Sequence, residues 1–264
     1  MNPSSSHRIE LIPLEGFPQV AAGEDLAALL VDSLVANGIA LQAHDVLVLA
    51  QKIFSKAENR FVDLGAVEPG PEALALAPTV LKDARLVEVI LRESVRVVRA
   101  RPHVLIVEDR RGFVMANAGL DQSNVGVASA GTDPDLGWAL LLPEDPDASA
   151  AAIRQRLQQR FGVPLAVVIN DSFGRAWRRG TVGVALGAAG LPSLLDLRGQ
   201  PDLYGRTLRT SEQAFADEIA AAASLVMGQA DEGRPAVLVR GLKWRAEENP
   251  AATLIRAAKD DLFR

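Results

Sequence analysis

The stretch LAVVINDSFGRAWRRGTVGVALG, Leu165 to Gly187, decides the fold and points to the chemistry, because a run of apolar residues passes abruptly into polar and cationic ones. Leu165, Ala166, Val167, Val168 and Ile169 read as a strand covered on both faces, since they show no polar alternation. Asn170, Asp171, Ser172 and Gly174 read as turn-forming residues at its carboxyl end. Arg175, Arg178 and Arg179 follow within a few positions, and the guanidinium fork suits carboxylate or phosphate oxygens. A metal-binding carboxylate beside an anion clamp meets the needs of a nucleoside triphosphate site; the same residues would also serve as an ordinary loop and a solvated face.

Working outward, Ile9–Leu14 reads as a strand and Asp25–Ala36 as a helix, with Leu26, Leu29, Leu30 and Leu34 at helical spacing. Asp45–Ala50 is a second buried strand, followed at once by the polar Gln51, Lys52, Ser55, Lys56 and Glu58. Val67–Thr79, rich in Pro, Glu and Ala, reads as a surface connection to a helix at Asp83–Glu93. Three strands are expected at Val95–Ala100, His103–Glu108 and Gly112–Ala116. Asn117 to Gly137 is a long Gly, Ser, Asn and Asp segment of the kind that carries function. A helix follows at Ala148–Phe161. The Gly and Ala content of Val182–Gly190 calls for close backbone approach, and Ser193–Leu197 adds a short strand. Ser211–Met227 reads as a helix capped by Ser211 and stopped by Gly228, Ala236–Arg240 as a strand, and the charged tail as helical. Helix-separated and adjacent strands together give an α+β class with mixed sheets and flanking helices. Neither GxGxxG nor GxxxxGK[ST] occurs, so no Rossmann or P-loop cradle is expected.

Composition narrows the function. The 264 residues, 48% of them hydrophobic, suffice for a large core in a single domain, which could comprise two intertwined subdomains. A net charge of −5 disfavours nucleic acid and anionic membranes as partners, so any bound anion must be met by local Arg and Lys. With no Cys there is no disulfide, thiolate nucleophile or Cys-ligated metal. His7, His44 and His103 form no metal signature, and His44 and His103 each precede a strand. The polar opening Met1–Arg8 lacks the apolar core of a secretory signal, and no apolar run spans a bilayer, so a cytoplasmic location is expected.

Five segments, in order, carry a resemblance: LEGFPQV, LAQKIFSKAENR, ANAGLDQSNVG, VVINDSFGRAWRRGTVG with the later DLYGR, and MGQADEG with AVLVRG. From about Ile9 to Leu242 the chain resembles the γ-glutamyl ligases that build the tail of the deazaflavin coenzyme F420. The resemblance implies that fold without a C-terminal flavin-binding domain, and an intertwined homodimer. It further implies addition of L-glutamate to the carboxylate of the precursor F420-0, with GTP, a divalent metal (Mg²⁺ or Mn²⁺) and often K⁺. An acyl phosphate precedes the amide, which accounts for a site without a protein nucleophile. A different acceptor carboxylate on the same scaffold is the rival expectation.

Residue by residue, the resemblance makes Asp121 and Asp171 carboxylate ligands of one ion, with Ser172 (Thr in many relatives) and Gln229 (Glu or Gln in relatives) oxygens for a second. Asn124 matches a nucleotide-contacting Asn. Gly16, Phe17, Pro18 and Gln19 match one nucleotide-contacting turn, and Gly228, Gln229, Ala230, Asp231, Glu232, Gly233 and Arg234 a second. Gln51 and Lys52 stand where some relatives have Ser-Thr; Lys56 keeps a family Lys suited to phosphate. Arg175, a candidate catalytic residue, with Arg178 and Arg179 would face the anionic substrates. Asp202, Tyr204, Gly205 and Arg206 would lie over the precursor.

Overall fold

Three apolar runs, 46–49, 166–169 and 236–239, lie side by side with essentially no solvent exposure, because each has a hydrophobic layer on both faces. They form the middle of the central sheet in the computed structural model, which describes residues 8–125 and 137–261. In chain order the elements are β1 (Glu10–Pro13), α1 (Leu26–Ala36), β2 (Val46–Ala50), α2 (Gln51–Ala57), β3 (Phe61–Asp63), α3 (Pro71–Val80) and α4 (Ala84–Arg92). Next come β4 (Ser94–Arg101), β5 (Val104–Asp109), β6 (Val114–Ala116), β7 (Trp138–Leu140) and α5 (Pro146–Phe161). The chain continues through β8 (Ala166–Arg175), β9 (Arg178–Ala189), β10 (Leu195–Asp196), β11 (Glu212–Gln213), α6 (Phe215–Met227) and β12 (Ala236–Arg240).

The central sheet has the order β1-β12-β2-β8-β9, with β2 and β8 parallel and the other neighbours antiparallel. Successive side chains point to opposite faces. Leu47, Leu49, Val167, Ile169 and Leu238 join a core with α1 and α5, whereas Val46, Val48, Ala166, Val168, Val237 and Val239 join one with α6. A third core gathers α3, α4 and the sheet β4-β5-β6, with Ala139 of β7. Mixed sheets flanked by helices make this an α+β fold. No described helix is long and apolar enough to cross a membrane.

The small residues of β9 are where helices approach. A Cβ on Gly183 would lie 2.5 Å from the Ala220 carbonyl of α6, and one on Gly187 would lie 2.3 Å from the Pro146 backbone of α5. These residues are four apart yet meet opposite layers, because Ile169 pairs with Gly187 and Asn170 with Ala185. Leu186 is the extra residue of a β-bulge, which reverses the alternation. Asp147 ties the region together, its Oδ1 accepting from the Ala188 and Ala251 amides and its Oδ2 from Ala252.

Several sequence expectations need correction. Asn170, Asp171, Ser172 and Gly174 do not turn; β8 runs through them to Arg175, paired with β9, and the turn falls at Ala176 and Trp177. Val67–Thr79 is no mere connection, since α3 occupies Pro71–Val80: Pro71 sits in its first turn, where a missing N–H costs nothing, while Ala73, Ala77 and Val80 give it a buried face. Gln51–Ala57 is helical. The last helix starts at Phe215 and not at Ser211, because the Ser211 carbonyl accepts from the Leu197 amide and 212–213 pairs with β10. Among the described residues beyond Arg240, the tail holds only short 3₁₀ turns at Ala251–Leu254 and Ala258–Asp260. The long segment at 117–137 begins with a 3₁₀ turn at Asn117–Gly119; its residues 126–136 lie outside the described part.

Gly187→Ala should destabilise the protein by about 1–3 kcal/mol, because the methyl group meets backbone that cannot swing aside. Urea denaturation of the variant beside the parent checks this; equal midpoints would mean that α5 does not hold its observed place against β9.

Candidate active site

The parallel pairing of β2 with β8 sets Ala50 beside Asn170, so both strands deliver their carboxyl ends to one edge of the sheet. The amino end of antiparallel β12 and the turn after β1 arrive at the same edge, since Ala236 pairs with Leu49 and Pro13 with Val237. Crevices at such carboxyl edges are where open α/β sheets take ligands. Here the edge holds a cavity of about 530 Å³, lined among others by Phe17, Pro18, Gln19, Gln51, Lys52, Lys56, Asn124, Asp171 and Ser172. The turn Gly228–Arg234 closes another wall.

Gly228 ends α6 with φ of 76°, a conformation that favours glycine. That turn lets the Glu232 carboxylate accept from the Ala230 amide at 2.8 Å; such backbone N–H bonds hold Glu232 below the usual carboxylate range. Asn124, also at positive φ, donates its side-chain amide to the Ala230 carbonyl at 3.3 Å. The loop carrying Asp121 is thus joined to the Gly228–Arg234 turn across the rim.

Asp121 is fixed from behind. Its amide donates to the Leu140 carbonyl at 3.0 Å and its own carbonyl accepts from the Leu140 amide at 2.9 Å, a bridge that continues the β7 edge. The carboxylate is left free to face α2, where Lys52 Nζ lies 3.1 Å from Asp121 Oδ2 and donates to Ser123 Oγ at 3.2 Å. Ser123 Oγ in turn donates to Asp121 Oδ1 at 3.0 Å.

Asp171 faces the same point from β8. Burial against the pocket floor, with the negative charge of Asp121 adding to it, pushes its carboxyl up to about 7; the Ser172 amide, 2.8 Å from Oδ1, and the Lys52 charge oppose this. Two carboxylates whose charges repel are incompletely compensated by one ammonium, so the pair lacks positive charge. Hard oxygen donors without sulfur or imidazole fit Mg²⁺ or Mn²⁺. Such an ion, if bound, would meet Asp121 and Asp171; Asp171, Ser172 and Gln229 line the cavity together.

Positive charge adjoins these carboxylates. Lys52 and Lys56 stand one turn apart on α2, a like-charge pair that weakens a helix unless something negative lies between. Lys56 is 7% exposed, and burial first, then the Lys52 charge, lowers its pKa. Gln51 is buried and its side-chain oxygen accepts from Ser55 Oγ at 2.8 Å, within α2. Asn170 is likewise engaged, donating to Ser224 Oγ at 2.9 Å and to Met227 Sδ.

Not every candidate comes together. Gly16 lies beside the lining turn without lining the cavity itself. Arg175 lies roughly 13 Å along an extended strand from Asp171, at 3.3 Å per residue. With Arg178 and Arg179 it belongs to the exposed end of the β8–β9 hairpin, its guanidinium donating to the Arg179 carbonyl. The expected clamp beside Asp171 is therefore absent among the described residues, because the strand does not turn where its polar residues suggested. Asp202 instead organises its own tight turn, accepting from the Tyr204 and Arg206 amides, with Tyr204 fully exposed. Ser123 is the residue that sequence reasoning missed; its place two positions after Asp121 was the available signal.

The sequence from residue 16 to 241 matches the model of the F420-0:gamma-glutamyl ligase family. The coenzyme F420:L-glutamate ligase of Methanothermobacter thermautotrophicus is 47% identical over 258 residues, covering 97% of this chain and 99% of that protein. Its namesake in Methanopyrus kandleri is 47% identical over 261 residues, 97% of each chain. That of Methanocaldococcus jannaschii is 37% identical over 261 residues, again 97% of each. With likeness along nearly its whole length, the chain belongs to the F420-0:gamma-glutamyl ligase family of enzymes.

Proposed function

We propose that this protein joins L-glutamate to F420-0 at the expense of GTP, forming an amide between the precursor carboxylate and the glutamate amine through an acyl phosphate. The observation that carries the reading is that the charges of Asp121 and Lys52, 3.1 Å apart, both act on Asp171, at a cavity on the carboxyl edge of β2 and β8 lined by Asp171, Lys52 and Lys56. An oxygen of the precursor carboxylate attacks the γ-phosphorus of GTP and GDP leaves. The glutamate amine then attacks the acyl carbon; phosphate departs with the C–O electron pair, the amine gives up a proton, and an amide remains. Such transfers depend on positioning and charge neutralisation more than on a nucleophile of the protein.

In this reading Asp121 and Asp171 hold Mg²⁺ or Mn²⁺, with Ser172 and Gln229 as neutral oxygens for a second ion and K⁺ as an accessory. The metal supplies neutralisation of phosphate charge. Lys56, buried and on the cavity lining, meets phosphate oxygens, while Phe17–Gln19, Asn124 and Gly228–Arg234 enclose the nucleotide. Arg175 would reach a substrate of this site only from a distance or from a second subunit of a homodimer. The enzyme works in the cytoplasm, where GTP and glutamate are supplied.

Incubating the protein with F420-0, L-glutamate, GTP and Mn²⁺ should yield a product one glutamyl residue heavier by mass spectrometry, with GDP and phosphate in equal amount. GTP turnover that requires glutamate but a different acid would move the reading to another acceptor. Asp171→Asn should lower kcat/KM on the order of a hundredfold or more, through loss of a ligand charge; near-parental activity would refute its ligand role. EDTA should abolish turnover, and added Mn²⁺ restore it.

The raised Asp171 pKa has a second consequence. Between about pH 4 and pH 7 the folded metal-free protein keeps a proton that the unfolded chain has released, so this carboxyl lowers stability as pH rises through that window. The slope is roughly 1.4 kcal/mol per pH unit. In EDTA, thermal unfolding of Asp171→Asn should show a shallower decline toward pH 7 than the parent, and parallel curves would contradict the placement of that carboxyl.

A further inference from the structure

Lys52 stands in an unusual position for a residue that only awaits a phosphate. Its ammonium is committed to a carboxylate of the proposed metal pair, 3.1 Å from Asp121 Oδ2. Ser123 joins both members of that ion pair, accepting from Lys52 and donating to the other carboxylate oxygen. Both oxygens of Asp121 are thereby engaged. The site is shielded but not sealed, since the side chains of Lys52 and Asp121 are 28% and 26% exposed. Lys56, one helical turn away, has a less favourable place for its charge the closer Lys52 stays.

We propose that Lys52 is the resident counter-ion of Asp121, that Ser123 positions it there, and that a divalent cation binds Asp121 by exchange against this ammonium. The inference rests on the metal role given to Asp121 above. A carboxylate oxygen can coordinate a cation at about 2.1 Å or accept from an ammonium at about 3 Å, and a small ion with octahedral demands does not share that oxygen with an ammonium on the same side. Metal entry then frees Lys52, whose flexible four-carbon stem lets the ammonium move within the cavity to an anionic substrate group. Cation binding and anion binding become linked through one side chain: each metal bound makes one more positive group available to the substrate. Ser123 is a positioning residue in this scheme, acting on Asp121 and Lys52 and not on substrate.

The test is Mn²⁺ binding to the nucleotide-free full-length protein, followed by electron paramagnetic resonance of free Mn²⁺, for the parent, Lys52→Met, Lys52→Arg, Ser123→Ala and Asp121→Asn. Lys52→Met, which keeps the length of the stem without its charge, should bind Mn²⁺ about tenfold or more tightly than the parent. Lys52→Arg should stay near the parent, and Ser123→Ala should fall between. In turnover, Lys52→Met should show a lower Mn²⁺ requirement together with a lower kcat, a split that a merely structural lysine would not produce. Equal or weaker Mn²⁺ binding by Lys52→Met, with an unchanged circular dichroism spectrum, would overturn the exchange. So would Mn²⁺ binding by neither the parent nor Lys52→Met. Undiminished binding by Asp121→Asn would instead overturn the metal role of Asp121 and the reading on which the exchange depends.

Discussion

The pairing of Val46–Ala50 with Ala166–Asn170 as parallel neighbours is the constraint from which the rest follows. Parallel strands bring equivalent ends together, so whatever succeeds each of them in sequence is gathered at one edge. After β2 come Gln51 and Lys52; alongside, β8 presents Asp171 and Ser172. Both strands are apolar on both faces, and shifting either by one residue would exchange its side chains between the two cores. The register that places the charged groups is therefore fixed by hydrophobic packing several residues away from them.

The cores were largely legible in the sequence, and for a physical reason. Runs such as VLVL and AVVI have no polar alternation to satisfy a solvent-facing side, and Ala-rich α6 has a stop at Gly228. What was not legible is where polar residues remain in regular structure. Asn170 to Gly174 look like a turn, yet β9 offers them a complete ladder, and tertiary pairing outweighs local preference. Ser211 looks like a cap, yet its carbonyl is used by Leu197. In α3 the prolines suggested a connection, whereas Pro71 stands in the first turn and the alanines supply a buried face.

The site divides in the same way. Resemblance indicated Asp121, Asp171 and Lys56, and the fold draws their surroundings into one cavity. Spacing could not reveal that Lys52 lies on Asp121, because the contact joins α2 to a loop some seventy positions later. Nor could it show that Arg175, only four residues from Asp171, is carried away along a continuing strand. Nearness in sequence proved a poor guide for the arginines, and distance in sequence hid the partner of the lysine.

The two backbone bonds between Asp121 and Leu140 bear on how the chain may vary. They seat the backbone of the aspartate on the β7 edge, so a substitution at Ser123 or Asn124 would alter what its carboxylate or the rim meets without unseating the residue itself.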